Sequence, residues 1–195
     1  MESLSVAELG ILNWIQVHCR SEFWDEVMPV LTSLGSGGLV WIILALAILI
    51  FQKGKRSTGL QVLIALLLSL LLCNLFLKNA IDRVRPFDIN QMVELLVAEP
   101  KDASFPSGHT SASIAAATVL LINHWKGRCP ALVLAGGISF SRMYLYLHFP
   151  TDVLGGVVTG ALCGGLAVAI FRKWISPHWP ENHPANRRQK KRTAT

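Results

Sequence analysis

Residues 59–77 (GLQVLIALLLSLLLCNLFL) hold no charged side chain. A helix of that length rises roughly 28 Å, close to the ~30 Å of a bilayer's hydrocarbon core. Inside that slab no water satisfies backbone polar groups, so only a helix or a closed barrel crosses it. Residues 153–171 repeat the pattern. Residues 39–51 are apolar but short, and reach spanning length when extended back to Met28 through Gly35-Ser36-Gly37-Gly38. Residues 103–125 lack Asp, Glu, Lys and Arg, with the core of a span at 110–123. Residues 130–149 are apolar apart from Arg142 and His148. The expected fold class is therefore all-α: a polytopic transmembrane helix bundle with five spans, plus an N-terminal amphipathic or sixth helix.

Composition agrees. Only 15% of the chain is charged, against about 25% in soluble domains. That excludes a disordered chain or a coiled coil. The cysteines (Cys19, Cys73, Cys129 and Cys163) show no CxxC spacing and read as packing residues rather than a disulfide framework. The sequence divides into one membrane-embedded domain, 1–175, and a polar tail, 176–195, expected to be disordered. Gly155, Gly156, Gly160, Gly164 and Gly165 read as sites of close helix packing.

Residues 5–20 differ. Leu9, Leu12 and Ile15 recur at helical spacing, but Glu8, Asn13, Gln16 and His18 interleave with them. The pattern predicts an interfacial or partly inserted helix. Glu2 and Glu8, with no Lys or Arg before Arg20, argue against a signal peptide.

Loop charges orient the spans. Lys53, Lys55 and Arg56, then Lys126 and Arg128, then Arg172 and Lys173, fall on one side of five alternating crossings. An excess of Lys and Arg marks the cytoplasmic side. The C-terminus is then cytoplasmic, and segments 78–107 and 148–152 face outward together. Five of the net +6 charges come from Arg187, Arg188, Lys190, Lys191 and Arg192. Such a tail meets anionic membrane lipid. With no stacking aromatics beside it, nucleic acid is not an expected partner.

Polar residues gather at the outward ends of the spans. Lys78 and Arg85 are separated by about two helical turns, so both project from one face if the helix continues to Pro86. Ser107 is a plausible N-cap before an apolar helix, whose first N–H groups, with Gly108 and His109 on that turn, would suit an anion. Arg142 interrupts an apolar helix, which is costly unless it faces a polar site. An Asp152 bonded to one ring nitrogen of His148 would leave the other as a nucleophile. Three cations, two histidines, a carboxylate and a helix N-terminus on one face suit phosphoryl transfer.

Lys78-x6-Arg85-Pro86, Pro106-Ser107-Gly108-His109 and Ser141-Arg142-x5-His148-x3-Asp152 resemble the three signatures of the type-2 phosphatidic acid phosphatase superfamily, which also includes vanadium haloperoxidases. The resemblance implies that His148 is a nucleophile forming a phosphohistidine and Asp152 orients it. His109 would protonate the leaving group. Lys78, Arg85 and Arg142 would hold phosphate, helped by Ser107 and the Gly108 backbone. No metal or other cofactor is implied. The expected partner is a lipid phosphate or diphosphate in the cell membrane: undecaprenyl diphosphate first, with phosphatidic acid and phosphatidylglycerol phosphate as alternatives.

Other classes explain less. A lipid transporter accounts for intramembrane cations but not for paired histidines. A zinc hydrolase would need ligand spacing that is absent, and three cations would repel its metal. Asp82 and Arg83 read as a solvated loop pair, and Asp88, Glu94, Glu99 and Asp102 as solvent-facing. His124 reads as an inner-interface residue, and His178 and His183 as solvated tail histidines. Tyr144 and Tyr146 line either packing or a lipid entrance.

Overall fold

The computed structural model describes residues 2–179. Its regular elements are all helical: α1 (Glu2–His18), α2 (Glu22–Gly35), α3 (Leu39–Phe51), α4 (Arg56–Ser69), α5 (Lys78–Ile81), α6 (Pro86–Ile89), α7 (Gly108–Ile122), α8 (Arg128–Tyr144) and α9 (Pro150–Ile170). Among the described residues, three stretches are long and apolar enough to cross a membrane: Glu22–Phe51, Lys53–Ile89 (helical to Ile81 and again from Pro86) and Pro150–Ile175. α7 and α8, at 15 and 17 residues, fall short of the roughly 20 a full crossing needs. Both are cut short at the same end, where α7 starts after Ser107 and α8 stops at Tyr144.

The stretch that sequence extends from Met28 through the glycines begins earlier, at Glu22, where Ser21 caps the first turn. It is kinked at Gly37 and Gly38, whose φ of 59° and 70° only glycine adopts without strain. α4 runs into a π-helical segment, Leu70–Leu77, before α5. The helix does not continue to Pro86. It ends at Ile81, because Asp82 turns left-handed (φ 44°), a conformation that Asp tolerates better than most residues. Pro86 then opens α6 at its first position rather than stopping a helix.

The bundle is centred on α7, which packs against α4, α8 and α9. Lipid chains are as apolar as leucine, so close fit rather than hydrophobic exclusion holds such helices together. α9 shows how. Gly156, Gly160 and Gly164 form one stripe against α7; a Cβ at Gly156 would lie 2.7 Å from the Ser107 carbonyl, and one at Gly164 2.7 Å from that of Ala115. On the opposite stripe Leu154, Val158, Leu162 and Leu166 are each more than half exposed. Gly155 meets the Phe105 ring, but Gly165 faces open space and packs against nothing. The core beside this seam is built of Trp41, Ala45, Val62, Ala115, Ala116, Val119, Ala135 and Ala167. Its polar atoms are paired: Trp41 Nε1 donates to Ser113 Oγ at 2.9 Å, and Ser69 and Ser111 hydroxyls meet at 2.7 Å.

The two ends of the bundle differ. At one, Trp125 Nε1 donates to Gln52 Oε1 (3.0 Å) and Lys55 Nζ reaches the Asn123 carbonyl (3.4 Å). At the other, segments 82–107 and 145–152 meet, with Arg85 Nη1 bonded to Leu147 O and Ser107 N–H to Asp152 O. Order persists past 175: Ser176–His178 forms a turn, and Trp179 packs edge-on against Phe171. The basic cluster and His183 lie outside the described residues.

Candidate active site

A cavity of about 680 Å³ opens at the end where those segments meet. Lys78, Arg85, Gly108, His109, Arg142 and His148 line it, and Ser107 and Asp152 stand behind its wall.

Each cation arrives by a different route. Lys78 opens α5 and is 6% exposed. Arg85 is held extended (φ −83°, ψ 157°), as a residue before proline is. Its Nη1 donates to Leu147 O at 2.8 Å and lies 3.4 Å from His148 Nε2. Arg142 sits in the last turn of α8, donating Nη1 to Thr32 Oγ1 at 2.5 Å while its buried Nε has no partner.

Asp102 links two of these cations. One carboxylate oxygen accepts from Lys78 Nζ, and the other from Arg85 Nη2 at 2.6 Å. Burial pushes its carboxyl up, but Lys78 and Arg85 outweigh this and hold it down at about 2. It is thus not a simple solvent-facing loop residue, although half its side chain remains exposed.

Ser107 caps α7, its Oγ accepting from the Thr110 N–H at 3.5 Å and the Thr110 hydroxyl at 3.0 Å. His109, one residue into the helix, fits a notch at Gly35, where a Cβ would come 2.9 Å from its ring. Its Nε2 lies 3.5 Å from Ser36 Oγ. Gly108 has a similar role, since a Cβ there would strike Asn74 Oδ1 at 2.6 Å.

His148 is 1% exposed, in the turn between α8 and α9. Its Nδ1 lies 3.6 Å from Asp152 Oδ2 and has no hydrogen-bond partner. That distance exceeds a hydrogen bond, and the two groups attract as charges only when the ring is protonated. Asp152 is fully buried at the start of α9. Its Oδ2 accepts from Phe149 N–H at 2.8 Å and Ser104 Oγ at 2.5 Å, and its Oδ1 from Arg83 Nη1 at 2.6 Å.

Arg83 is therefore no solvated loop residue. Its Nη2 donates to Glu8 Oε2 at 2.5 Å, and its guanidinium covers the Phe149 ring at 4.1 Å. Glu8 is 3% exposed, and its Oε1 accepts both the Thr151 N–H (2.8 Å) and hydroxyl (2.6 Å). Tyr144 and Tyr146 are packing residues: both are buried, with hydroxyls donated to Asp25 and Asn13. Sequence reasoning missed Glu8, Thr32 and Ser104 as neighbours of the site, and preferred a loop reading of Arg83 to a role in tuning it. Only Arg83, two positions before Arg85, carried a local signal.

Chemically, three cations converge on a partly unsatisfied cavity that holds one carboxylate, with two histidines at its wall. Such a set can seat a phosphate-like anion with two imidazole rings beside it.

Comparison with known proteins agrees with this chemistry. The PAP2 superfamily profile matches residues 58–176. The chain is 32% identical over 132 residues to an undecaprenyl-diphosphatase of Sulfolobus acidocaldarius, a match covering 67% of this chain and 63% of that protein. It superposes on the crystal structure of a transmembrane PAP2-type phosphatidylglycerolphosphate phosphatase from Bacillus subtilis with a TM-score of 0.71, at 32% identity over 89% of both chains. Against Aquifex aeolicus LpxE the TM-score is 0.70, at 28% identity over 83% of this chain and 94% of the other. With its apolar helices, family profile and phosphatase relatives, the chain belongs to the PAP2 superfamily and is a membrane phosphatase.

Proposed function

We propose that the protein hydrolyses a lipid phosphate or diphosphate at the outer face of the membrane, through a phosphohistidine on His148. One observation carries the lipid part of this reading. The cavity is polar at one end, with Lys78, Arg85, Arg142 and His148, and apolar at the other, with Ile42, Leu63, Leu66, Leu67 and Leu70. Leu67 and Leu70 are also about half exposed on the bundle's flank. A phosphate head group fits the first end while its hydrocarbon stays against the second.

In the proposed mechanism His148 Nε2 attacks phosphorus as the bond to the leaving oxygen breaks, and His109 gives that oxygen its proton. His109 then takes a proton from water, which attacks the phosphohistidine. The P–N bond breaks and inorganic phosphate leaves. Lys78, Arg85 and Arg142 stabilise charge on the non-bridging oxygens, with Gly108 N–H at the α7 start. Asp152 Oδ2, 3.6 Å from His148 Nδ1, favours by its charge the positive ring that forms as Nε2 attacks.

The same reading takes residues 1–175 as one domain, with five crossings built from α2–α3, α4–α5, α7, α8 and α9. Lys53, Lys55, Lys126 and Arg128 lie at the end away from the cavity, which supports a cytoplasmic placement for them and an outward site. Undecaprenyl diphosphate is the preferred substrate, and phosphatidylglycerol phosphate the first alternative. The test is phosphate release by purified protein in EDTA from undecaprenyl diphosphate, phosphatidic acid and phosphatidylglycerol phosphate. The expected result is release that ranks the diphosphate first; no release from any of the three would overturn the lipid phosphatase reading.

A further inference from the structure

The back of the site is closed by a helix outside the family match, which starts at residue 58. α1 buries Leu12 and Ile15 against the turn between α8 and α9. Three of its polar residues, which look like part of the wet face of an interfacial helix, also bond inward. Gln16 Nε2 donates to Tyr144 O at 2.6 Å, Asn13 Oδ1 accepts from the Tyr146 hydroxyl at 2.7 Å, and Glu8 binds Thr151 and Arg83. All three contacts fall on the segment 144–152 that carries His148 and Asp152, or immediately beside it.

Glu8 is the consequential one. Burying an unpaired carboxylate is costly, and its two oxygens are matched to separate partners. Oε1 takes the N–H and hydroxyl of Thr151, in the first turn of α9. Oε2 takes Arg83, whose other nitrogen reaches Asp152 Oδ1. Without the Glu8 carboxylate, Arg83 and Asp152 would form a neutral pair behind His148, and Arg83 would lose the contact that draws its Nη2 toward α1. With Glu8, the three groups carry one net negative charge behind His148, the sign that favours a histidine gaining positive charge as it attacks.

We propose that Glu8 and Arg83 are positioning residues for the reaction: Glu8 holds Arg83 on Asp152, and α1 thereby fixes the Asp152–His148 pair from behind. This rests on the reading of His148 as nucleophile.

The test uses the full-length protein in detergent, with undecaprenyl diphosphate and phosphatidylglycerol phosphate as probes. Glu8→Gln keeps an acceptor for Thr151 but removes the charge holding Arg83. Its kcat is expected to fall roughly tenfold, with KM within about twofold, as for misplacement of a reacting group rather than lost binding. Arg83→Lys is expected to cost at least as much. The double variant should then cost no more than Arg83→Lys alone, because the two residues act in series. Wild-type kcat in Glu8→Gln overturns the proposal, and so does a loss shared equally by kcat and KM together with a lowered unfolding midpoint. If Glu8→Gln does not fold, Arg83→Lys decides alone: wild-type kcat overturns the proposal and a selective kcat loss supports it. His148→Ala run in parallel separates the two claims. An active His148→Ala defeats the nucleophile reading, whereas an inactive one beside a fully active Glu8→Gln defeats only the relay.

Discussion

The front and the back of the site are built on opposite rules. Facing the cavity, polar groups are left short of partners: Arg142 Nε has none, His148 Nε2 has only Arg85 Nη1 at 3.4 Å, and His109 Nε2 has a distant hydroxyl. Behind the wall, His148 Nδ1 aside, the side chains are paired. Asp152 takes Ser104, the Phe149 N–H and Arg83, and Arg83 in turn takes Glu8. Buried polar groups without partners cost about 1–3 kcal/mol each. Proteins tolerate that where a ligand supplies the missing bonds, and the saturated back holds the geometry while the front waits.

The contrast can be broken most forcefully at His148. His148→Ala should remove turnover to below about a thousandth of wild type while leaving the unfolding midpoint near its original value, because the side chain anchors little. Steady-state phosphate release and a thermal melt read the two arms. Arg142→Ala comes next. It should lower kcat/KM by about 10²–10³, as loss of one charged transition-state contact does. Vanadate, which mimics phosphorus with five oxygens around it, should inhibit the wild type and do so more weakly in Arg142→Ala; an inhibition curve unmoved by the substitution would take Arg142 out of the front.

At the back, the effect should move from turnover toward stability. Ser104→Ala withdraws one donor from a fully buried carboxylate and should destabilise by about 1–2 kcal/mol, with only a several-fold fall in kcat. Chemical denaturation beside the activity assay checks the split. Asp102 straddles the two regions and gives the smallest effect. Its carboxyl titrates at about 2 in the fold, against an ordinary 3.8. Its contribution is therefore complete above about pH 4 and is lost as pH falls through about 2. The melting temperature of wild type should drop across that window more than that of Asp102→Asn; parallel curves would remove Asp102 from the link.

The same division explains what could be read from sequence. The helical class follows from charge-free runs such as 59–77 and 153–171, because a bilayer leaves the backbone so few choices. The front is legible because its residues fall in three short segments with fixed spacing around Pro86, Ser107 and His148. Helix ends are less so. Lys78 and Arg85 line one cavity, but not as one helix face, since Asp82 breaks the helix and the extended Arg85 meets Lys78 across Asp102. The back is nearly invisible. Glu8 is 75 residues from Arg83 and 143 from Thr151, and no local pattern distinguishes a glutamate facing water from one buried under a loop. Likewise Gly165 shares its composition with Gly164, but only the fold says that one meets α7 and the other meets nothing.

The carboxylate of Asp102 also bears on how a catalytic cycle ends. Lys78, Arg85 and Arg142 set against Asp102 give the cavity two net positive charges, which a phosphate dianion neutralises. On the proposed mechanism the released phosphate carries that same charge and no hydrocarbon. The pocket then retains its product by electrostatics alone, while the apolar end has already let the lipid go. Product inhibition by inorganic phosphate follows, relieved by added salt. The pace of turnover would then be set by ionic conditions at the membrane surface as much as by the lipid that enters.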